Sequence, residues 1–450
     1  MLYGTSIWML LLSSGGAHMA QQIYKGNLLS SLSYDELKII ENGYIVVKDG
    51  IISDVYEKLP AEYNNEKITD YGDRLIIPAF SDLHMHAPQF AQRGIGMDRL
   101  LMDWLNDYTF PQEANFKDLA YASKIYARLI REFLRHGSFH LSLFTTIHYE
   151  ACDLLFKMLE DSGLYAYTGL VNMDMNSPDY YVDDTNVSLE KTERFIVEHQ
   201  YSQRVRPILT PRFAPTCSAK LMKGLGELAL KYDLGVQTHL VESKAEAAWA
   251  KELYPDCASD GEIYEKYGLL QGSGPKIFAH VIFPTPTEER ILKQYDGYAV
   301  HCPDATSNII AGIMPLSKLH DNGINITIGS DVGGGHFLAI YRQIARAAQI
   351  SKMKEFYEED YSKIELKNAF YMATAASEKI FPHSGKLEKG YRFDALVIEN
   401  MLDKEYERPI ADALERFCYI GDDRNIFARF IDGRLIDPDT VYEMICKKYL

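Results

Sequence analysis

Between residues 75 and 384 the chain alternates short apolar, β-prone runs with longer stretches of helical periodicity, and that alternation narrows the fold more than any other feature. The runs are Leu75–Ala79, Phe139–Phe144, Leu164–Leu170, Arg206–Thr210, Gly235–Thr238, Lys276–Ala279, Tyr298–Val300 and Ile324–Ile328. Helical patterns over Leu119–Arg135, Ser188–Glu198, Ala219–Tyr232 and Ile340–Lys352 separate several of them. Strands covered on both faces read as continuous apolar runs, and intervening helices supply the crossovers that parallel strands need. Eight such units predict an α/β chain built on a (β/α)8 barrel of the TIM type. The two ends differ in texture. Tyr44–Val47, Gly50–Tyr56, Gly390–Ile398 and Phe430–Ile436 are β-prone and punctuated by Asn-Gly and Asp-Gly turns, the chemistry of hairpins. The expected organisation is therefore a small β-sandwich domain from residues 20–74 plus 385–450, with the barrel over 75–384. Residues 1–19 carry a short apolar run at Ile7–Leu12 with no basic residue before it, and read as a leader or extension outside the fold.

Composition excludes some partners. A formal net charge of −16 argues against a nucleic-acid backbone, whose binding draws on clustered Lys and Arg. No apolar run approaches the ~20 residues that span a bilayer, so no membrane partner is expected. The six cysteines are scattered without a CxxC pair and read as reduced thiols of a cytoplasmic protein.

The chemistry-bearing residues sit where strand-like runs stop. Leu75–Phe80 leads into His84-Met85-His86, and residues two apart in a strand face the same side. His239 follows Gly235–Thr238, His280 follows Lys276–Ala279, and Asp331 follows Ile326–Ser330. In a parallel barrel the strand ends converge on one face. A histidine after a single strand is usually a core or loop residue. Four imidazoles and a carboxylate at converging strand ends instead suit one zinc ion, with iron(II) as the alternative. Such a metal lowers the pKa of a bound water to around 7. Glu242, three residues after His239, is placed to donate a proton, and Asp331 to take one from the water. No lysine lies in the runs around Leu164–Leu170 or Arg206–Thr210 to bridge a second metal.

His-Met-His, Thr-His-Leu-Val-Glu, Ala-His-Val and Gly-Ser-Asp, in this order and spacing, resemble the amidohydrolase superfamily, in its mononuclear branch of nucleobase deaminases and chlorohydrolases. More narrowly, HAPQF (86–90), DWLNDYTFPQEANF (103–116), LTPRFAPTCS (209–218), HCPDATSN (301–308), SDVGGGH (330–336) and FCYIGDDRNI (417–426) resemble its guanine-deaminating members. The resemblance implies hydrolytic deamination of guanine to xanthine and ammonia in purine catabolism. It assigns Glu242 and Asp331 to catalysis, His84, His86, His239, His280 and Asp331 to the metal, and Gln89, Arg212 and Phe213 to the nucleobase. It also implies a homodimer. The same mechanism on 8-oxoguanine, isoxanthopterin, another pterin or a triazine is the alternative, and a non-catalytic scaffold a third reading. Trp104 reads as a buried helix residue near the pocket, and His301 as a neighbour of the ligands. Three departures from the family pattern bear on substrate choice: Val241 and Ser243 beside Glu242, the stretch His136–Ser142, and Asp304 in His-Cys-Pro-Asp.

Overall fold

The computed structural model describes residues 21–99, 101–403 and 405–450, so the expectation for residues 1–19 lies outside the described residues. Its strands are β1 (Gln22–Ser31), β2 (Leu37–Lys48), β3 (Ile51–Tyr56), β4 (Ile68–Pro78), β5 (Phe80–His86), β6 (Ser138–Phe144), β7 (Tyr165–Gly169), β8 (Val171–Asn172) and β9 (Val205–Pro207). There follow β10 (Thr210–Pro211), β11 (Val236–Leu240), β12 (Lys276–His280), β13 (Tyr298–His301), β14 (Asn325–Ile328), β15 (Ala395–Ile398), β16 (Ile426–Ile431) and β17 (Arg434–Leu435).

Two parallel four-stranded sheets, β5-β6-β7-β9 and β11-β12-β13-β14, follow the chain order. Backbone hydrogen bonds bridge them at both ends. Leu209, just past β9, donates to Gly235 and accepts from Gln237, while Asp331, past β14, donates to the His84 carbonyl at 2.8 Å. The strands are short and almost wholly buried, as the apolar runs require. Helices cover their outer faces. Leu119–His136 shows how the sequence builds one: Asp118 caps its first N–H groups, and Ile125, Tyr126, Leu129, Ile130, Phe133 and Leu134 form one buried stripe. Gly137, at φ 78, then ends the helix and turns the chain into β6.

One strand lies elsewhere than the sequence suggests. Leu75–Pro78 belongs to β4 and pairs antiparallel with Ala395–Ile398, so the first strand of the parallel set is Phe80–His86. An apolar run buried on both faces carries no mark of which sheet it joins. The end segments also differ from a two-sheet sandwich: they pair in one seven-stranded sheet, β17-β16-β15-β4-β1-β2-β3. Register shifts at Gly26/Leu28, Val46/Val47 and Val397/Ile398 interrupt its ladders, and such bulges increase bending and twist. Tyr24, Ile45, Val47, Ile76, Phe393, Val397 and Phe430 form a core on one face, while Leu29, Leu75, Ile77, Leu396 and Ile398 join the main core on the other. No helix among the described residues is long and apolar enough to cross a membrane.

Candidate active site

The C-terminal ends of the parallel strands and the loops after them surround a cavity of about 410 Å³. His86, Gln89, Arg212, Phe213, His239, Glu242, His280 and Asp331 all line it. His84 lies behind them, its ring 5.1 Å from that of His86 and 4.8 Å from that of His239. The candidate catalytic, metal-ligating and nucleobase-contacting residues are thus brought to one place.

The five candidate ligands form a tight cluster. Donor atoms of His84, His239 and His280 lie within 4.8 Å of one another, as do those of His84, His86 and Asp331. The Nε2 atoms of His86 and His239 are 3.2 Å apart. Asp331 Oδ1 is 3.2 Å from His84 Nε2, and its Oδ2 3.8 Å from His280 Nε2. Burial pushes all four imidazoles below their usual pKa, His84 to about 3, so the rings are neutral and carry free lone pairs. His239 Nδ1 donates to the Arg212 carbonyl at 2.6 Å; since a carbonyl only accepts, the proton is on Nδ1 and Nε2 is left bare. His84 Nε2 and both ring nitrogens of His280 are buried with no hydrogen-bond partner among the described residues. Buried polar groups are rarely left so. Neutral imidazoles and a carboxylate converging with orphaned nitrogens fit a zinc-like cation.

Backbone strain gathers at the same strand ends. Val241, His280, Val281 and Asp331 have φ between 45° and 75°, in the left-handed region that non-glycine residues avoid. Such conformations cost about 1–3 kcal/mol each and persist where the surroundings over-determine them. Here they turn the chain sharply off the strands. The strand meeting is also close: a Cβ on Gly329 would lie 2.9 Å from His84 N, O and Cβ.

Glu242 Oε1 is 3.4 Å from His280 Nε2. Burial, with the charge of Asp331 adding to it, pushes the Glu242 carboxyl up to about 8. That shift favours the protonated acid, and burial raises the Asp331 carboxyl in the same direction. Arg212 and Gln89, which line the same cavity, are both bound to Glu113, a fully buried carboxylate that the sequence reading did not single out. In sequence Glu113 looks like an ordinary glutamate at a helix start; only its position inside the Asp103–Phe116 segment marked it. Trp249, Ile309 and Ala311 also line the cavity without having been anticipated. Trp104 is both buried in its helix and part of the wall, its indole N–H on the Ile95 carbonyl. His301 is buried with neither ring nitrogen hydrogen-bonded among the described residues.

The departures from the family pattern have local structural roles. Ser243 caps the helix Lys244–Leu253, and Glu246 accepts in return from the Ser243 and Glu242 N–H groups, which fixes the chain that carries Glu242. Asp304 is taken up by Arg346 at 3.0 Å and Gln343 at 2.9 Å. Ser243 also lines the cavity, whereas Asp304 is not among its lining residues.

Comparison with known proteins agrees with this geometry. The amidohydrolase family model matches residues 75–436. The chain is 32% identical over 442 residues to a guanine deaminase of Dictyostelium discoideum, covering 92% of this chain and 98% of that one. It is 30% identical to the guanine deaminase of Escherichia coli, covering 89% and 92%. Among solved structures, a guanine deaminase from C. acetobutylicum with guanine bound in its active site superposes with a TM-score of 0.89 at 42% identity, covering 93% of this chain and all of that one. The chain has the TIM-barrel-type amidohydrolase fold. It belongs to the amidohydrolase family and, within it, to the guanine deaminases.

Proposed function

We propose that this chain hydrolyses guanine to xanthine and ammonia in the cavity at the ends of a closed (β/α)8 barrel, with a small domain contributed by both chain ends. The observation that carries the reading is the pairing, across one cavity, of a buried acid (Glu242) and carboxylate (Asp331) with a hydrogen-bonding wall made by Gln89 and Arg212. His84, His86, His239, His280 and Asp331 would hold one zinc ion, or iron(II) in its place. When bound, that ion supplies a water acidified toward neutrality for attack on electron-poor carbon.

The chain's own residues do the rest. Arg212 and Gln89 hydrogen-bond the polar edge of the purine, the guanidinium suited to a ring carbonyl and the amide able to donate and accept. Phe213, whose ring lies 6.2 Å from that of Trp249, closes the cavity beside the base. Glu242 gives its proton to the ring nitrogen next to the carbon bearing the amine. Asp331 takes the proton released by the attacking water and passes it toward the amine. The carbon–nitrogen bond then breaks, ammonia leaves, and the added hydroxyl becomes the new ring carbonyl as its proton returns to Glu242.

The test is a comparison of kcat/KM for guanine, 8-oxoguanine and isoxanthopterin, with the metal content of each preparation measured. Guanine is expected to be preferred, and activity to track stoichiometric metal. Preference for another ring would keep the mechanism and overturn the substrate. A protein that never holds metal, even when supplied with it, would support a scaffold.

A further inference from the structure

The guanine reading leaves Glu113 without a task, yet this buried side chain holds both Gln89 and Arg212 of the nucleobase wall. It lies in the short helix Phe110–Ala114 and has no solvent exposure. Its Oε1 accepts from Gln89 Nε2 at 2.7 Å and from Arg212 Nη2 at 3.2 Å; its Oε2 accepts from Arg212 Nη1 at 2.7 Å. Phe110, from the same helix, lies under the guanidinium at 5.2 Å. The Gln89 oxygen is held in turn by the Gly333 N–H at 3.1 Å.

These contacts decide which way the wall faces chemically. A carboxylate only accepts and a backbone N–H only donates, so the Gln89 amide has one orientation. Arg212 spends two of its five donors on Glu113, and the fork geometry fixes where the others point. The pair is neutral overall, so the wall offers fixed donors without a net buried charge. A buried pair of this kind adds little stability beyond an apolar replacement, and specifying an arrangement is a better reason to keep it.

We propose, resting on the guanine reading, that Glu113 is a positioning residue. Acting through Arg212 and Gln89, it makes the site select a 2-amino purine that bears a ring carbonyl over one that lacks it. The carbonyl-bearing ring satisfies the fixed donors. 2-Aminopurine, with the same amine and no carbonyl, leaves them unpaired, which is the costlier mismatch.

The test uses the metal-loaded full chain with Glu113→Gln and Glu113→Asp. It measures kcat and KM for guanine and the competitive inhibition constant of 2-aminopurine, which reads binding whether or not that ring is turned over. In Glu113→Gln, guanine KM is expected to rise by roughly tenfold or more while 2-aminopurine inhibition changes by less than about threefold. Glu113→Asp keeps the charge one methylene short and should recover part of the discrimination; it carries the same comparison should the Gln variant not fold. Weakening of both ligands by one common factor, at unchanged metal content, would make Glu113 merely structural and overturn the proposal. A wild-type protein inert on guanine would end the guanine reading before any variant is made.

Discussion

Glu242 carries the proposed proton donation because burial raises its carboxyl toward the protonated form, where an exposed glutamate would be ionised. Glu242→Gln preserves shape and hydrogen bonding but removes the transferable proton. It is expected to keep its metal and lose turnover by ~10²-fold or more, with KM little changed. Near-full activity in that variant would remove Glu242 from the proton path. The convergence of His239, His280 and Asp331 was legible because each follows a recognisable β-prone run, and a parallel barrel brings strand ends together without further information; His84 and His86 join them although the run read as carrying them belongs to the other sheet. Glu113 was not. A glutamate in the first turn of a helix has the same sequence signature whether it is solvated or locked onto an arginine ninety-nine positions away. Only tertiary contact separates the two.

Among elements, the meeting of β14 with β5 is a close approach that bears directly on the site. Gly329 has no side chain there because His84 backbone and Cβ occupy the space. Gly329→Ala is expected to cost about 1–3 kcal/mol of stability, as overpacking does. It should also weaken metal binding by displacing His84, which titration of the metal-free protein would measure. Unchanged stability and affinity would mean that the strands separate more easily than their contacts suggest. The helices Leu119–His136 and Ala219–Tyr232 were readable almost to their ends, because an amphipathic stripe and a cap define them locally. β4 was misplaced because its apolar half satisfies either sheet equally well. Its partner, Ala395–Ile398, lies more than 300 residues away and is invisible to local pattern.

At the scale of the whole molecule, a buried ionic network fastens the seven-stranded sheet to the parallel strands. Asp394 accepts from His140 of β6 and from Arg392, both at 3.0 Å, and from the Asp432 N–H at 2.7 Å. Asp432 in turn holds Arg204 and Tyr165. Burial pushes the Asp394 carboxyl up, but the hydrogen bond from His140 and the charge of Arg392 more than reverse this and hold it well below the usual range, while burial also holds His140 below its usual pKa so that at pH 7 it donates as a neutral ring. A depressed carboxyl stabilises the fold above its unfolded pKa of about 3.9 and loses that contribution as pH falls toward the folded value. Asp394→Asn is therefore expected to lower stability by about 3 kcal/mol or more at pH 7, the cost of breaking a buried pair. In thermal melts, the gap to wild type should not narrow until pH falls below about 4. A gap that closes already between pH 7 and 5 would place the stabilising charge elsewhere. The network was not legible in sequence, since it joins five segments and no one of them is distinctive alone. For the cavity beyond that network, the direct test is to supply guanine to the metal-loaded protein and quantify both products. One ammonia and one xanthine for each guanine consumed is the expected result. A protein that holds its metal, binds guanine and releases neither would contradict the account.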